Sequence, residues 1–194
     1  MLQTSVVCST GMIRYWRVFH ARDRKHAPMP GPTPPEKLTV DAVNALVGQP
    51  LAPSRWRVID QAMIDDFADL INDHQYIHVD PVRARASPFG GTVAHGFLSL
   101  SIFGGLAAEI APKLENGQMS VNYGFDRIRF AAPVREGAEV RTVLTLKAVE
   151  AQGSGVVNLL YDAVLEIRGE GKPAIVAEWR VRHYLQGEAA GLGA

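Results

Sequence analysis

Cysteine is almost missing from this 194-residue chain: Cys8 stands alone. No intrachain disulfide can form, so the fold must rest on its hydrophobic core. A lone cysteine in a chain of this size fits a reducing compartment, and a cytoplasmic protein is expected. Excess charge of one sign is missing too. Twenty basic and twenty acidic residues cancel to a formal charge of zero. Nucleic-acid-binding domains usually carry a clustered basic surplus, so no nucleic-acid partner is expected. No apolar run approaches the roughly 20 residues needed to cross a bilayer. The longest, Gly96 to Ala108, holds Ser99, Ser101 and three glycines. It reads as a buried helix rather than a membrane span. There is no internal repeat. What remains is a chain of 47% hydrophobic residues, enough to build one well-buried core.

The first 36 residues differ from the rest. Five of the twelve prolines and five basic residues against one acid lie among residues 1–35. The prolines at 28, 30, 32, 34 and 35 sustain neither a helix nor a paired strand, so about 27–36 reads as an extended linker. Met12 to Ala21 has the pattern of a short basic amphipathic helix. An arginine-rich, acid-poor N-terminus is compatible with an organelle transit peptide, or with an extension from an upstream start codon and a native start near Met29. Residues 1–36 are therefore expected to be a poorly ordered extension, 37–187 the folded domain, and 188–194 a flexible tail.

Within the domain, a short helix is expected over 39–47 and a strand at 55–58. A helix is expected over 61–71, where Met63, Ile64, Phe67, Leu70 and Ile71 recur every three or four residues behind a plausible N-cap, Asp60. Residues 72–92 read mostly as loop, with a helical turn after Pro81. A second helix, apolar nearly all round, is expected from Ala94 to about Ala111, and such a helix must be covered on most sides. Beyond Pro112 the period changes from helical to alternating. Four strands are expected at about 118–130, 138–150, 155–168 and 173–186, separated by turn residues. The fold class is α+β, an antiparallel sheet wrapped around a long central helix.

The chemistry-bearing stretch is Asn72-Asp-His-Gln-Tyr-Ile-His-Val-Asp80, followed by Ser87-Pro-Phe-Gly-Gly-Thr-Val-Ala-His-Gly96. It concentrates Asp73, His74, His78, Asp80 and His95 just before the buried helix. Adding water to an α,β-unsaturated thioester needs a group that takes a proton from water, a group that gives one to the α-carbon, and donors for the enolate oxygen. A carboxylate and an imidazole beside a helix N-terminus supply all three. Each residue also has a plainer reading. Asp73 fits a turn after a helix, His78 a hydrogen-bonded structural histidine, Asp80 an N-cap, and Asp126, Arg127 and Arg129 a solvated strand face with a salt bridge. The histidine spacings match no zinc pattern, so no metal and no other cofactor is expected.

These motifs resemble the MaoC-like dehydratase family, the (R)-specific enoyl-CoA hydratases of hotdog fold, and within it the nodulation-protein-N-like branch. The family pattern of Asp, any residue, Asn, Pro, an aliphatic residue, His, any residue, Asp stands here as Asp73-His-Gln-Tyr-Ile-His78-Val-Asp80. Gln75-Tyr76 replaces the usual Asn-Pro. Further matches are Ser87 to Ser101, Asn122 to Phe130 and Ala132-Pro-Val134, and the resemblance covers about residues 50–186. It implies a hotdog fold, a homodimer, an acyl-CoA thioester substrate, and Asp73 and His78 as the catalytic pair that places and activates a water. It implies an oxyanion-hole N–H at Gly96. A further serine found in some members falls at Gly104, with Ser101 one turn earlier. The substrate-binding residues expected are Tyr76, Phe89, Gly91, His95, Phe97 and Ser101. Two other functions suit the same fold: a hotdog acyl-CoA thioesterase, which would release free thiol, and a non-catalytic acyl-thioester-binding module. The Asp-to-His spacing favours the hydratase.

Overall fold

Alternation of apolar and polar residues makes the strands, and their inward faces make the core. In the computed structural model, which describes residues 36–153 and 155–186, four long strands carry the sheet. They are β4 (Gly117–Phe130), β5 (Glu139–Ala151), β6 (Val156–Ile167) and β7 (Ile175–Leu185). A two-residue strand, β2 (Arg57–Val58), completes a five-stranded antiparallel sheet of order β2-β5-β6-β7-β4. On β5 the inward residues Val140, Thr142, Leu144 and Leu146 are wholly buried while their neighbours are half-exposed, the pattern of a sheet with one covered face. Three register shifts in β4 against β7, between Gly117 and Met119, Asn122 and Gly124, and Phe125 and Arg127, mark bulges. Bulges bend and twist a strand, which suits a sheet that curls.

The covering element is α5 (Gly96–Ile110). Phe103, Leu106 and Ala107 of this helix are buried in the same apolar cluster as Leu144, Leu146, Tyr161, Leu165 and Trp179. Phe103 meets Trp179 edge-on, with ring centroids 5.4 Å apart. Thr142, a polar residue in the sheet's interior, is not left unpaired: its N–H donates to Ser54 Oγ and its hydroxyl to the Phe103 carbonyl. Around this centre lie α1 (Val40–Asn44), α2 (Gln61–Ile71), α3 (Tyr76–Val79) and α4 (Pro81–Arg85). Two short strands, β1 (Lys37–Leu38) and β3 (Lys113–Leu114), pair in parallel.

The long elements fall where the sequence pattern puts them, and the differences are local. The helix expected over 39–47 is cut to Val40–Asn44. The loop over 72–92 contains an additional short helix, α3, and the β1–β3 pair was not expected. The all-round covering expected for the central helix is incomplete within one chain. Phe97 is 66% exposed, and Ser101, Gly105 and Ala108 follow it on the same open stripe. The basic helix expected over 12–21, the linker expected over about 27–36 except its last residue, and the tail expected over 188–194 lie outside the described residues.

Candidate active site

The site begins where α2 ends. Asp60 caps the helix start, accepting from the Met63 N–H at 2.8 Å. Asn72 ends the helix in the left-handed conformation with φ +56° and its N–H on the Ala68 carbonyl. Asparagine tolerates that conformation better than most side chains do. The chain reverses there, and Asp73 follows with its side chain exposed. One carboxylate oxygen accepts from the Gln75 N–H at 3.2 Å, so the turn role read from the sequence is present. It uses part of the carboxylate's accepting capacity.

His78 sits on α3 and is buried. Its Nδ1 lies 2.6 Å from the Val93 carbonyl. A carbonyl only accepts, so Nδ1 carries the hydrogen and the neutral ring keeps its lone pair at Nε2. Burial holds its pKa below the ordinary histidine value of 6.5. The Val93 carbonyl opposes that shift, His95 adds to it, and the Asp73 charge opposes it. A ring that is neutral at pH 7 with a free Nε2 is a competent proton acceptor. Val93 is itself strapped in place: its N–H donates to the Ile77 carbonyl, and the neighbouring Ala94 N–H donates to the Val134 carbonyl.

His95 comes to the same place from the start of α5. Its Nε2 is 3.0 Å from the Asp73 carbonyl, and its ring stacks on that of His78 with centroids 3.7 Å apart and 25° between the planes. One carboxylate oxygen of Asp73 and one nitrogen of each imidazole lie within 4.8 Å of one another. Such a trio raises a metal site. Stacked rings, however, hold their in-plane lone pairs in nearly parallel planes, so the two imidazoles do not converge on one tetrahedral ion.

Three of the other helices are capped by side chains: α1 by Thr39, α2 by Asp60 and α4 by Asp80. No side chain caps α5, whose N-cap is His95. Its first N–H groups, beginning with Gly96, keep their donors for another acceptor. Asp80 takes the plain role read from the sequence, accepting from the Val82 and Arg83 N–H groups. Asp126 likewise pairs with Arg180 on the strand face.

The other expected residues are spread more widely. Tyr76 opens α3 with the Arg83 guanidinium 4.5 Å above its ring. Phe97 packs edge-on against Phe130. The Ser101 hydroxyl donates to the Phe97 carbonyl of its own helix. Among the described residues, no hydrogen bond or ring contact joins Phe89 or Gly91 to Asp73 or His78. One residue that sequence reasoning passed over is Gln61. Its Nε2 donates to the His78 carbonyl at 2.8 Å, and its Oε1 accepts from the Thr92 hydroxyl at 2.6 Å. It ties α2 to both segments that carry the imidazoles. A glutamine in the first turn of a helix gives no sequence signal of that task.

Residues 42–163 match the family model described as the MaoC like domain. The chain belongs to the MaoC-like dehydratase family. Among its relatives, this family member is 45% identical over 144 residues to nodulation protein N of Rhizobium meliloti, covering 74% of this chain and 89% of that one. It is 41% identical over 139 residues to 3-hydroxyacyl-thioester dehydratase Z of Mycobacterium tuberculosis, covering 72% and 91%. Of solved structures, an (R)-hydratase from A. caviae superposes with a TM-score of 0.55 at 27% identity, covering 70% of this chain and 94% of that one. A MaoC-like dehydratase from Rhodospirillum rubrum gives a TM-score of 0.60 at 24% identity over 72% and 93%, a likeness of fold. The curled sheet about α5 is thus the hotdog fold of this family. Among the described residues, no helix is long and apolar enough to cross a membrane.

Proposed function

We propose that this chain hydrates trans-2-enoyl-CoA to (R)-3-hydroxyacyl-CoA, and dehydrates the product in reverse, with Asp73 and His78 as the catalytic pair. The observation that carries this reading is the meeting of the Asp73 carboxylate and the His78 ring within 4.8 Å, at the start of a helix without a side-chain cap. A water between them donates one hydrogen to the carboxylate and one to His78 Nε2. As the water oxygen bonds to the β-carbon, one of the pair takes its proton. The thioester carbonyl becomes an enolate oxygen, held by the Gly96 N–H at the positive end of α5. The same proton then passes to the α-carbon, giving syn addition. Both hydrogens and the oxygen come from a single water, so the steps call for no cofactor.

The acyl chain needs an apolar channel. A cavity of about 480 Å³ lies between the second half of α5 and strands β4 and β7, with an apolar side at Gly104, Ala108, Met119, Trp179 and Val181 and a polar side that includes Lys113, Asn122 and His183. Gly104 is nine residues beyond His95, about 14 Å along the helix, a distance an acyl tail spans. In one chain Asp73 remains exposed, and the open stripe of α5 lies beside the outer strand β4. A second copy joined along that edge would wall in the site, which supports a homodimer. The lone cysteine supports a cytoplasmic setting.

The test is loss of enoyl absorbance with purified protein and a ladder of trans-2-enoyl-CoAs, with chiral analysis of the product. Asp73→Asn and His78→Ala should each lower kcat/KM by about 10²–10⁴-fold, the usual scale for general acid–base groups. Free thiol release in place of absorbance loss would make the chain a thioesterase. Wild-type rates in both variants would remove this pair from the chemistry.

A further inference from the structure

His95 is the most enclosed polar group at the site, 3% exposed, and the hydration steps give it no task. It nevertheless touches both members of the pair. Its Nε2 faces the Asp73 carbonyl at 3.0 Å, so that nitrogen carries the hydrogen. Its flat face lies on the His78 ring at 3.7 Å. The Phe67 ring of α2 approaches it at 5.4 Å. We propose that His95 is a positioning residue, one imidazole that fastens the aspartate's backbone to the plane of the catalytic histidine at the start of the oxyanion helix. The proposal rests on the Asp73/His78 reading and assigns His95 a role other than contact with the substrate.

Both members need such a fastening. Asp73 lies in an exposed turn, just past a left-handed residue. Its carbonyl is held by His95. His78 is tied by a single ring hydrogen bond, to Val93, and one bond leaves a ring free to tilt. Stacking fixes the plane, and with it the direction of the Nε2 lone pair. Displacement of a reacting group by about 1 Å costs on the order of 10²-fold in rate. Phenylalanine would offer the flat face without the donor, and glutamine the donor without the face. Imidazole offers both. Stacked imidazoles also resist carrying two positive charges, so His95 helps to keep His78 neutral, as a base must be. The titratable groups facing His95 are Asp73 from the turn and His78 from α3; α2 presents the Phe67 ring, and α5 its positive end.

The experiment uses the full chain, as His95→Gln and His95→Phe, each alone and combined with Asp73→Asn. Each single change should lower kcat about 10–10²-fold with KM altered less than about threefold. In the Asp73→Asn background the His95→Phe loss should shrink below about threefold, because the donor it removes acts through that aspartate. The His78 titration midpoint, followed by NMR of labelled histidine, should rise in both single variants. Nitrogen-15 imidazole spectra of the wild type should show both His78 and His95 in fixed tautomers, with hydrogen on Nδ1 and Nε2 respectively. A His95 with hydrogen on Nδ1 overturns the proposal even if neither variant folds. So does full activity in the variants, a rise in KM with kcat unchanged, or full multiplication of the His95→Phe loss with Asp73→Asn. If Asp73→Asn and His78→Ala are themselves fully active, the hydratase reading falls instead, whatever the tautomer at 95.

Discussion

At Gly96 the Phe130 ring leaves only a tight space for a side chain. A Cβ there would meet three ring carbons at 3.2 to 3.4 Å. Gly96→Ala must therefore push the ring or the helix start by a few tenths of an ångström, and the N–H proposed to hold the enolate moves with it. The expected loss in kcat/KM is on the order of tenfold. Phe130 is about half exposed and can be cut back, so Gly96→Ala with Phe130→Ala should recover most of that loss. If the pair of changes is no better than Gly96→Ala alone, the crowding account is wrong. Asn72 poses a separate test of local geometry. Its φ of +56° costs most side chains about 1 kcal/mol or more, and glycine nothing. Asn72→Val should lower stability by about 1–2 kcal/mol in urea unfolding, while Asn72→Gly should stay within about 0.5 kcal/mol of wild type. At this scale the sequence was legible where a motif spoke. Asp73 and His78 stand at a recognisable spacing, and the structure brings them together. Gln61 was not legible, because nothing in a helical glutamine says that its amide will bridge 17 and 31 residues of chain.

Among the elements, periodicity was the reliable guide. α2 occupies 61–71 as the three-to-four spacing requires, and β4 to β7 begin and end within two residues of the alternating stretches. Short elements escaped for a physical reason. α3 is four residues long and has no side-chain cap, and the β1–β3 pair is two residues on each side. Neither has a period to detect; both exist because neighbouring packing selects them. Gln61 is the clearest case of one element holding another. Gln61→Leu removes its bonds to the His78 carbonyl, to the buried Thr92 hydroxyl and to Asp65. An unpaired buried hydroxyl alone costs about 1–3 kcal/mol. The expected result is a loss of about 2–3 kcal/mol in unfolding free energy together with a fall in kcat, since α3 carries His78, the imidazole proposed for catalysis. A variant of wild-type stability would show that water replaces the amide without cost.

For the molecule as a whole, two buried histidines set a dependence on pH and one bare edge marks the surface where the proposed homodimer would form. Burial holds both His78 and His183 below the ordinary value of 6.5. The unfolded chain takes up those protons first as the pH falls, so stability present above pH 6.5 is lost as the pH drops through the folded-state values. Urea midpoints should fall steadily below pH 6.5, and His183→Gln should flatten that slope if it folds. The partly exposed Glu178, lowered by its hydrogen bond to Lys147, loses its contribution only near and below its ordinary 4.5, so the windows are separable. The edge is β4. It pairs with β7 on one side, and its residues Met119, Val121, Tyr123 and Phe130 are all substantially exposed. Proteins rarely leave a long apolar edge strand bare. A two-fold pairing of β4 with its copy would continue the sheet and cover the open stripe of α5. Val121→Lys, a charge set into that edge, should halve the mass measured by light scattering and remove most of the proposed hydratase activity, because each site would lose the wall that the second copy is proposed to supply. Val176→Lys on β7, exposed but off the edge, should change neither. A Val121→Lys protein that keeps both its wild-type mass and its rate would place the subunit contact on another face.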